Sequence, residues 1–336
     1  MIMGQSVYMK NLVIDEIADY ESYYRYRERN AKEYAKRYAT EKALASNKQA
    51  FTVPGWCCLC QKEVEFAVNY EHSFQWEGEL MPNFREHLSC SSCGFGNRMR
   101  AIVHVLEQRL KPSGEIYITE QVTALYDLLK KRLDNVTGSE YLGMPSEPGA
   151  GNSPGTTNPI SVKAALLFER IKNKLSPTTW SKHVASVPEF GKENTSGVRN
   201  ESITKLTFDT NKFDVILSFD VLEHVPEYLD GFKECLRCLK PGGTLFFTVP
   251  FTGLEKTITR ARINSDGSIT HIFPAEYHGD PLKNEGCLCF HHFGWDMLVA
   301  LRSIGFVDVF ALIYYSIEFG YLGKGEQIIF TASKPN

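Results

Sequence analysis

Two pairs of cysteines, each with a two-residue gap, are the most specific chemical signal in this sequence. Cys57 and Cys60 form the first pair, and Cys90 and Cys93 form the second. Such a gap lets both thiolates of a pair turn toward one ion, and four sulfurs suit tetrahedral zinc. Gly94 relieves the backbone after the second pair. We therefore predict a structural zinc ion that stabilises folding, since four filled positions leave no open site.

The remaining cysteines favour a reducing compartment. The chain has nine cysteines, an odd and clustered set that suits metal binding better than a disulfide framework. Cys58 would form a geometrically poorer pair with Cys60, so we predict that it packs in the interior, as do Cys287 and Cys289. The alternative is that all the cysteines are reduced packing residues. The N-terminus lacks the features of a secretory signal, so the expected location is the cytoplasm.

Two apolar runs that end in polar residues are the second signal. Phe213 to Val225 reads FDVILSFDVLEHV, and Leu239 to Pro250 reads LKPGGTLFFTVP. Both are typical of buried strands of a parallel sheet. Ligands of open parallel sheets bind beyond the carboxyl ends of the strands. Asp220 and Val221 lie at such an end, so we predict a ligand site there.

These two segments resemble the class I S-adenosylmethionine-dependent methyltransferase family, of the methyltransferase type 11 kind. In that family the fourth strand ends in a similar Asp-Val-Leu-Glu-His-Val, and the fifth follows a Lys-Pro-Gly-Gly turn. The resemblance implies an α/β, Rossmann-like fold with a doubly wound, mostly parallel, seven-stranded sheet, and S-adenosylmethionine as cofactor. With its cysteine pairs, the chain is similar to a bacterial subgroup that carries an N-terminal zinc module.

The resemblance also implies which residues hold the cofactor. Glu140, followed by Tyr141, would bind the ribose hydroxyls, since a carboxylate can accept both hydrogen bonds. Asp220 and Val221 would flank the adenine and the sulfonium. Ser202 stands where the family usually has an Asp that meets the adenine amine, and Glu201 is the alternative acceptor.

The first cofactor loop departs from the family pattern. The family has an acidic residue and a glycine-rich loop after its first strand, whereas this chain has Glu120-Gln121-Val122-Thr123. Glycine lets the backbone approach the amino acid tail of the cofactor. Here the side chains of Glu120, Gln121 and Thr123 would hold that tail; the alternative is weak or lost cofactor binding.

The segment after the fifth strand, residues 251–293, is rich in reactive polar groups. By resemblance it would cover the methyl acceptor. A histidine can take a proton as the methyl arrives, and we expect His278, with Glu276 and His224, to act in catalysis. Arginines can clamp a carboxylate or phosphate. The predicted acceptor-binding residues are Arg260, Arg262, Tyr277, Asp280, His291 and His292. The alternative is that residues 275–281 form an elaborate turn; a metal site of histidine and acidic residues is a further, weaker alternative.

The elements that position these groups divide into three predicted domains. Residues 1–50 form a helical arm that lies on the body or on a second subunit, which would make a homodimer. Residues 51–112 hold the zinc module and a linking helix. Residues 113–336 form the methyltransferase domain, because strands and helices alternate there. Insertions are predicted at 143–197 and 251–293.

Net charge and the length of the apolar stretches argue against some classes of function. A net charge of −3 gives no electrostatic case for nucleic acid or an anionic membrane, and no apolar stretch is long enough to span a bilayer. The expected activity is O-, N- or C-methylation of a small molecule or glycan. One alternative is an inactive Rossmann-like and zinc interaction scaffold, and another is a nucleic-acid or protein methyltransferase.

Overall fold

The computed structural model describes residues 11–45, 49–109, 114–144, 187–282 and 286–336. The chain divides into two compact units. Unit 1 is Met1–Pro112 with Phe310–Thr331, and unit 2 is Ser113–Val309 with Ala332–Asn336. Among the helices of the described ranges, none combines the length and apolar character that a bilayer crossing requires.

Unit 1 contains a strand, two helices, a small β module and a third helix. Its elements are β1 Ile14–Ile17, α1 Tyr20–Arg29, α2 Ala31–Leu44, β2 Phe51–Cys57, β3 Lys62–Val68, β4 Phe74–Trp76, β5 Glu79–Met81, β6 Leu88–Cys90 and α3 Asn97–Arg109. Asp19 begins α1 because its carboxylate accepts the Ser22 N–H at 2.7 Å, as in a capping box.

Unit 2 alternates strands with helices before an excursion of short hairpins. Its elements are β7 Ile116–Ile118, α4 Ala124–Arg132, β8 Val136–Gly138, β9 Phe213–Phe219, a 3-10 turn Leu222–His224, α5 Tyr228–Cys238, β10 Leu239–Thr248, β11 Ile258–Thr259, β12 Ala261–Ile263, β13 Ile269–His271, β14 Tyr277–His278, β15 Cys287–Leu288, β16 His291–His292 and α6 Asp296–Ile304. Strands β17 Val307–Tyr314 and β18 Gln327–Ser333 are shared between the two units.

The central sheet has seven strands in the order β1-β17-β18-β10-β9-β7-β8. Strand β9 pairs in parallel with β10 and with β7, and β7 pairs in parallel with β8. All of β9 except Asp214 is buried, as expected for a parallel strand covered on both faces. The α/β, mostly parallel, seven-stranded fold predicted from the sequence is confirmed.

Two details of the sheet differ from the expectation. The arm is not helical throughout, since β1 pairs antiparallel with β17 of the same unit, with Ile17 opposite Ala311. The Lys-Pro-Gly-Gly segment is not a separate turn but the start of β10, where the register with β9 shifts between Leu239 and Thr244. Gly243 permits this close approach, because a Cβ there would lie 3.1 Å from the Phe213 carbonyl oxygen.

The two predicted insertions have different outcomes. The sequence also predicts a helix over 161–174, but this stretch, like most of 143–197, lies outside the described residues. The segment 251–293 folds into antiparallel pairs: β12 with β13, β14 with β15, and β11 with β16. The exact domain boundaries and the homodimer stay predictions.

Candidate active site and cysteine cluster

The four predicted zinc ligands come together in unit 1. The sulfurs of Cys57, Cys60, Cys90 and Cys93 all lie within 4.8 Å of one another. The Cys57–Cys93 and Cys60–Cys90 sulfur distances are 3.9 and 3.8 Å. A tetrahedron of Zn–S bonds of about 2.3 Å has edges of about 3.8 Å, so the spacing fits one zinc ion.

Both cysteine pairs use the same turn. The N–H of Gln61 donates to the Cys57 carbonyl and the N–H of Gly94 donates to the Cys90 carbonyl, each at 2.8 Å. Gln61 and Gly94 both adopt left-handed backbone, with φ of 52° and 77°. This conformation costs little for glycine but strains a residue with a Cβ.

This equivalence predicts opposite effects for two substitutions. Gln61→Gly should stabilise the protein and Gly94→Ala should destabilise it, each by about 1 kcal/mol. Thermal unfolding of both variants with zinc bound checks the prediction. Equal shifts of the same sign would contradict it.

Cys58 lies outside the cluster. Its sulfur is buried, donates to the Arg100 carbonyl at 3.4 Å and accepts from the Tyr321 hydroxyl at 3.1 Å. These partners give Cys58 the interior position that we predicted.

The first cofactor loop in unit 2 is held by the side chains that were predicted to bind the cofactor tail. Glu120 accepts the Phe219 N–H at 3.0 Å. Thr123 caps α4 by accepting the Tyr126 N–H at 3.2 Å. The Gln121 amide donates to the Gly197 carbonyl and accepts the Arg199 N–H, at 2.8 and 3.0 Å. All three side chains therefore serve to position the loop.

Gly138 at the end of β8 lets Gln121 of the first loop and Tyr126 of α4 pack closely against the strand. A Cβ there would lie 2.5 Å from Tyr126 Cε2 and 2.9 Å from Gln121 Cγ. Sequence reasoning missed this residue, although an isolated glycine in a strand signals a close approach.

Glu140 follows β8 at the predicted position. Its carboxylate accepts the Val122 N–H at 2.7 Å. Burial, with a smaller contribution from Asp280, raises the pKa of Glu140 to about 7 against the opposing Val122 hydrogen bond. A half-buried carboxylate beside the first loop can accept the two hydroxyl hydrogens of a ribose.

The two predicted adenine acceptors differ in availability. Glu201 is buried and pairs with Arg199 at 2.8 Å. Its carboxylate also accepts from the N–H and hydroxyl of Thr207, at 2.9 and 2.6 Å. Because its acceptors are used within the chain, Glu201 holds the local backbone. Ser202 is half-buried and shares a hydrogen bond with Thr204 at 2.9 Å.

Asp220 and Val221 lie at the end of β9, as predicted. Asp220 has a φ of 55°, and its carboxylate accepts from the Thr248 hydroxyl at 2.8 Å. A left-handed residue other than glycine is strained and is often found at functional sites. This strained residue lies where the chain leaves the sheet after β9.

Glu276 is the centre of a polar network in the 251–293 segment. His278 Nε2 and His292 Nε2 both approach its Oε1 at 3.0 Å, and Arg260 lies 3.1 Å from its Oε2. Although burial opposes it, hydrogen bonds from the two histidines lower the pKa of Glu276. The sulfur of Cys289 and the carboxylate of Glu223 raise the pKa of His278 to about 10.

This network is fixed to the end of β9. The Phe290 N–H donates to the Glu223 carbonyl at 2.7 Å. His224 Nδ1 contacts the Leu288 carbonyl at 2.8 Å. The predicted catalytic residues Glu276, His278 and His224 are thus brought together. Glu223, which is completely buried, joins them, and sequence reasoning missed it because it reads as part of a structural turn.

The other predicted acceptor-binding residues are more scattered. Arg260 is tied to Glu276 and donates to the Pro274 carbonyl at 2.9 Å, and Arg262 is exposed, so binding of an acceptor by these two arginines stays a prediction. Burial lowers the pKa of His291, whose Nε2 contacts the Pro226 carbonyl at 3.1 Å. Tyr277 is exposed, as is Tyr141, which stacks on Phe190. Asp280 accepts the Leu282 N–H at 2.7 Å.

Comparisons with known proteins bear on this site. Residues 165–247 match a family model described as a methyltransferase domain. A ubiquinone biosynthesis O-methyltransferase of Coxiella burnetii is 44% identical over 48 residues, which is 14% of this chain. The match spans 20% of the length of that relative.

Solved methyltransferase structures are also similar. The 1,6-didemethyltoxoflavin-N1-methyltransferase of Burkholderia thailandensis has a TM-score of 0.34 at 16% identity, covering 71% of this chain and 79% of its own. An S-adenosylmethionine-dependent methyltransferase of Mesorhizobium loti has a TM-score of 0.33 at 15% identity, covering 68% and 96%. The matched residues include β9, α5 and most of β10, so this part of the chain is similar to a methyltransferase domain.

Proposed function

We propose that this chain transfers the methyl group of S-adenosylmethionine to a small molecule or glycan. The observation that carries the proposal is the attachment of the Glu276 network to the residues that directly follow Asp220 and Val221. The group that would act on an acceptor therefore adjoins the predicted cofactor position. Glu140, beside the first loop, would bind the ribose.

The chemistry is a direct displacement at the methyl carbon. A lone pair of the acceptor forms the new bond to carbon as the carbon–sulfur bond breaks, and the sulfonium becomes the neutral thioether of S-adenosylhomocysteine. The reaction needs in-line positioning more than any other factor. An acceptor that starts protonated must also lose its proton, and the imidazole–carboxylate network of Glu276 and His292 can take it.

Oxygen is the favoured acceptor atom among oxygen, nitrogen and carbon. The likeness to an O-methyltransferase over 48 residues supports this choice. We further propose that zinc occupies the four-cysteine cluster in a structural role. The cytoplasmic location and the lack of a nucleic-acid partner also stay predictions.

The competing function is a scaffold without catalysis. The internal hydrogen bonds of Glu120, Gln121 and Thr123 favour it, since these groups were expected to hold the cofactor tail. Calorimetry with S-adenosylhomocysteine separates the two functions. Micromolar binding supports the enzyme, and its absence in zinc-loaded protein supports the scaffold.

Replacement of His278 should separate catalysis from cofactor binding. His278→Ala is expected to slow methyl transfer about 10²- to 10⁴-fold, because the Glu276 network that takes the acceptor's proton loses one of its two imidazoles, while the affinity for S-adenosylhomocysteine is unchanged. Transfer from labelled S-adenosylmethionine to a panel of hydroxylated small molecules provides the assay. His271→Ala, an exposed histidine on β13, is the control and should keep full turnover. Full turnover by His278→Ala would remove His278 from the mechanism.

A further inference from the structure

A completely buried carboxylate lies at the centre of the active-site cluster without a hydrogen-bond donor. Glu223 has no exposed side-chain surface, and neither of its carboxylate oxygens has a hydrogen-bond partner among the described residues. His278 Nδ1 lies 3.4 Å from Oε1, and His224 Nε2 lies 3.7 Å from it. A buried carboxylate is costly unless a cation compensates it.

In their neutral forms, which are the forms that bind a metal, both imidazoles present an acceptor nitrogen to this carboxylate. His224 Nδ1 lies 2.8 Å from the Leu288 carbonyl, which can only accept, so Nδ1 carries the hydrogen. His278 Nε2 lies 3.0 Å from the Glu276 carboxylate and carries its hydrogen for the same reason. In the neutral rings the lone pairs are then on His224 Nε2 and His278 Nδ1. Metal-binding histidines characteristically donate their other N–H to a carbonyl or carboxylate in this way.

The spacing of the three groups also fits a metal ion. The ligand atoms of Glu223, His224 and His278 all lie within 4.8 Å of one another. Bonds of about 2.1 Å to nitrogen and oxygen give ligand-to-ligand edges of about 3.4 Å in a tetrahedral site. The separations of 3.4 and 3.7 Å are close to this edge, and they are longer than hydrogen bonds.

We propose that Glu223, His224 and His278 bind a divalent cation of the first transition row, separate from the ion of the cysteine cluster. Two imidazoles and one carboxylate suit such ions and leave coordination positions open. Glu276 holds His278 in orientation from outside the site. The three ligands come from two segments, the 3-10 turn after β9 and strand β14.

The open positions point to an acceptor that binds through oxygen, an inference that rests on the proposed methyl transfer. A hydroxyl bound to the cation loses its proton more readily, as metal-bound water does. The O–H bond breaks and the proton passes to the Glu276–His292 pair. The oxygen then forms its bond to the methyl carbon as the carbon–sulfur bond breaks.

Cobalt titration of the full-length, zinc-loaded protein tests the site. Co²⁺ alone is added, with calorimetry and visible absorption as readouts. One equivalent should bind with weak d–d bands and without an intense thiolate charge-transfer band. Glu223→Gln and His278→Ala should each weaken this binding by more than the roughly 10- to 100-fold expected for Glu276→Gln, the outer carboxylate. His271→Ala is the matched control and should bind Co²⁺ as the wild type does.

Three results would overturn the proposal. The first is no Co²⁺ uptake beyond the cysteine cluster, which would leave a protonated His278 as the partner of Glu223. The second is equal uptake by wild type, Glu223→Gln and His278→Ala. The third is an intense thiolate charge-transfer band from the added Co²⁺, which would assign the ion to Cys289 with Glu276 and His278. Calorimetry with S-adenosylhomocysteine is run separately. Cofactor binding without Co²⁺ uptake refutes only the proposed cation site. Co²⁺ uptake without cofactor binding refutes only the proposed methyl transfer.

Discussion

Cys90→Ser should release zinc and unfold the β2–β6 module. Four thiolates that share one ion supply much of the folding energy of such a module, and zinc-finger peptides gain roughly 10 kcal/mol or more from the metal. The remaining three thiolates would be left close together without a cation between them. We expect a large fall in the melting temperature, zinc loss by elemental analysis and rapid proteolysis within residues 51–109.

The unfolding should extend to the 310–331 segment of the same unit. Arg100 is completely buried, and its guanidinium donates to the carbonyls of Phe319 at 2.6 Å and Gly320 at 3.4 Å. Its side chain also stacks on Phe66 of β3, with 4.0 Å to the ring centroid. A buried guanidinium keeps these partners only while the module is folded, so hydrogen exchange should rise in both segments together.

Cys58→Ser is the matched control for this loss. The Cys58 sulfur is adjacent in sequence to the cluster but has its own partners, so the zinc content of this variant should match that of the wild type. Some stability is lost in this variant, because a hydroxyl replaces a buried sulfur. If Cys90→Ser retained zinc and melted like the wild type, the cluster would have no structural role.

The sheet and the cysteine cluster were the most predictable features because their signals are local. A buried parallel strand reads as a continuous apolar run, and β9 and β10 both do. The cysteine pairs needed only short-range geometry. Strand β1 was missed because four residues with two exposed acids, Asp15 and Glu16, give no apolar run. Its strand conformation comes from pairing with β17, far along the chain.

The roles of individual site residues were less predictable, because they depend on which hydrogen bonds the backbone needs. Thr123 also caps α4, because a helix N-terminus has unsatisfied N–H groups, and its expected contact with the cofactor stays a prediction. The Glu201 carboxylate likewise accepts hydrogen bonds from Arg199 and from the N–H and hydroxyl of Thr207. For Glu223 the difficulty is reversed. Its carboxylate oxygens have no hydrogen-bond partner among the described residues, and this depends on the folded cluster, which no sequence pattern shows.

Glu140→Gln should weaken cofactor binding and stabilise the protein without cofactor. An uncharged amide keeps one acceptor oxygen for the Val122 N–H but loses the charge-assisted bonds to the ribose. Such bonds are worth roughly 1.5–3 kcal/mol, so the dissociation constant for S-adenosylhomocysteine should rise about 10- to 100-fold.

The gain in stability should depend on pH in a defined direction. The pKa of Glu140 is raised from 4.5 to about 7 in the folded protein. Between these values the folded state holds a proton that the unfolded chain has released, so the wild-type stability contributed by this group falls as pH rises. The cost levels off above pH 7, at a magnitude on the order of 3 kcal/mol. The glutamine of the variant has no ionisable group, so its stability does not fall with pH in this way.

Melting temperatures of wild type and Glu140→Gln at pH 5 and pH 8 measure this difference. At pH 5 the two proteins should unfold at similar temperatures, and at pH 8 the variant should be the more stable one. Addition of S-adenosylhomocysteine at pH 8 should narrow the variant's advantage, because a 10- to 100-fold higher affinity gives the wild type about 1.4–2.7 kcal/mol more stabilisation. These results would show that the Glu140 carboxylate lowers the stability of the free protein because it is needed to bind the cofactor. A variant that is less stable at pH 8 and still binds the cofactor normally would show that Glu140 holds the loop through Val122 and does not meet the ribose.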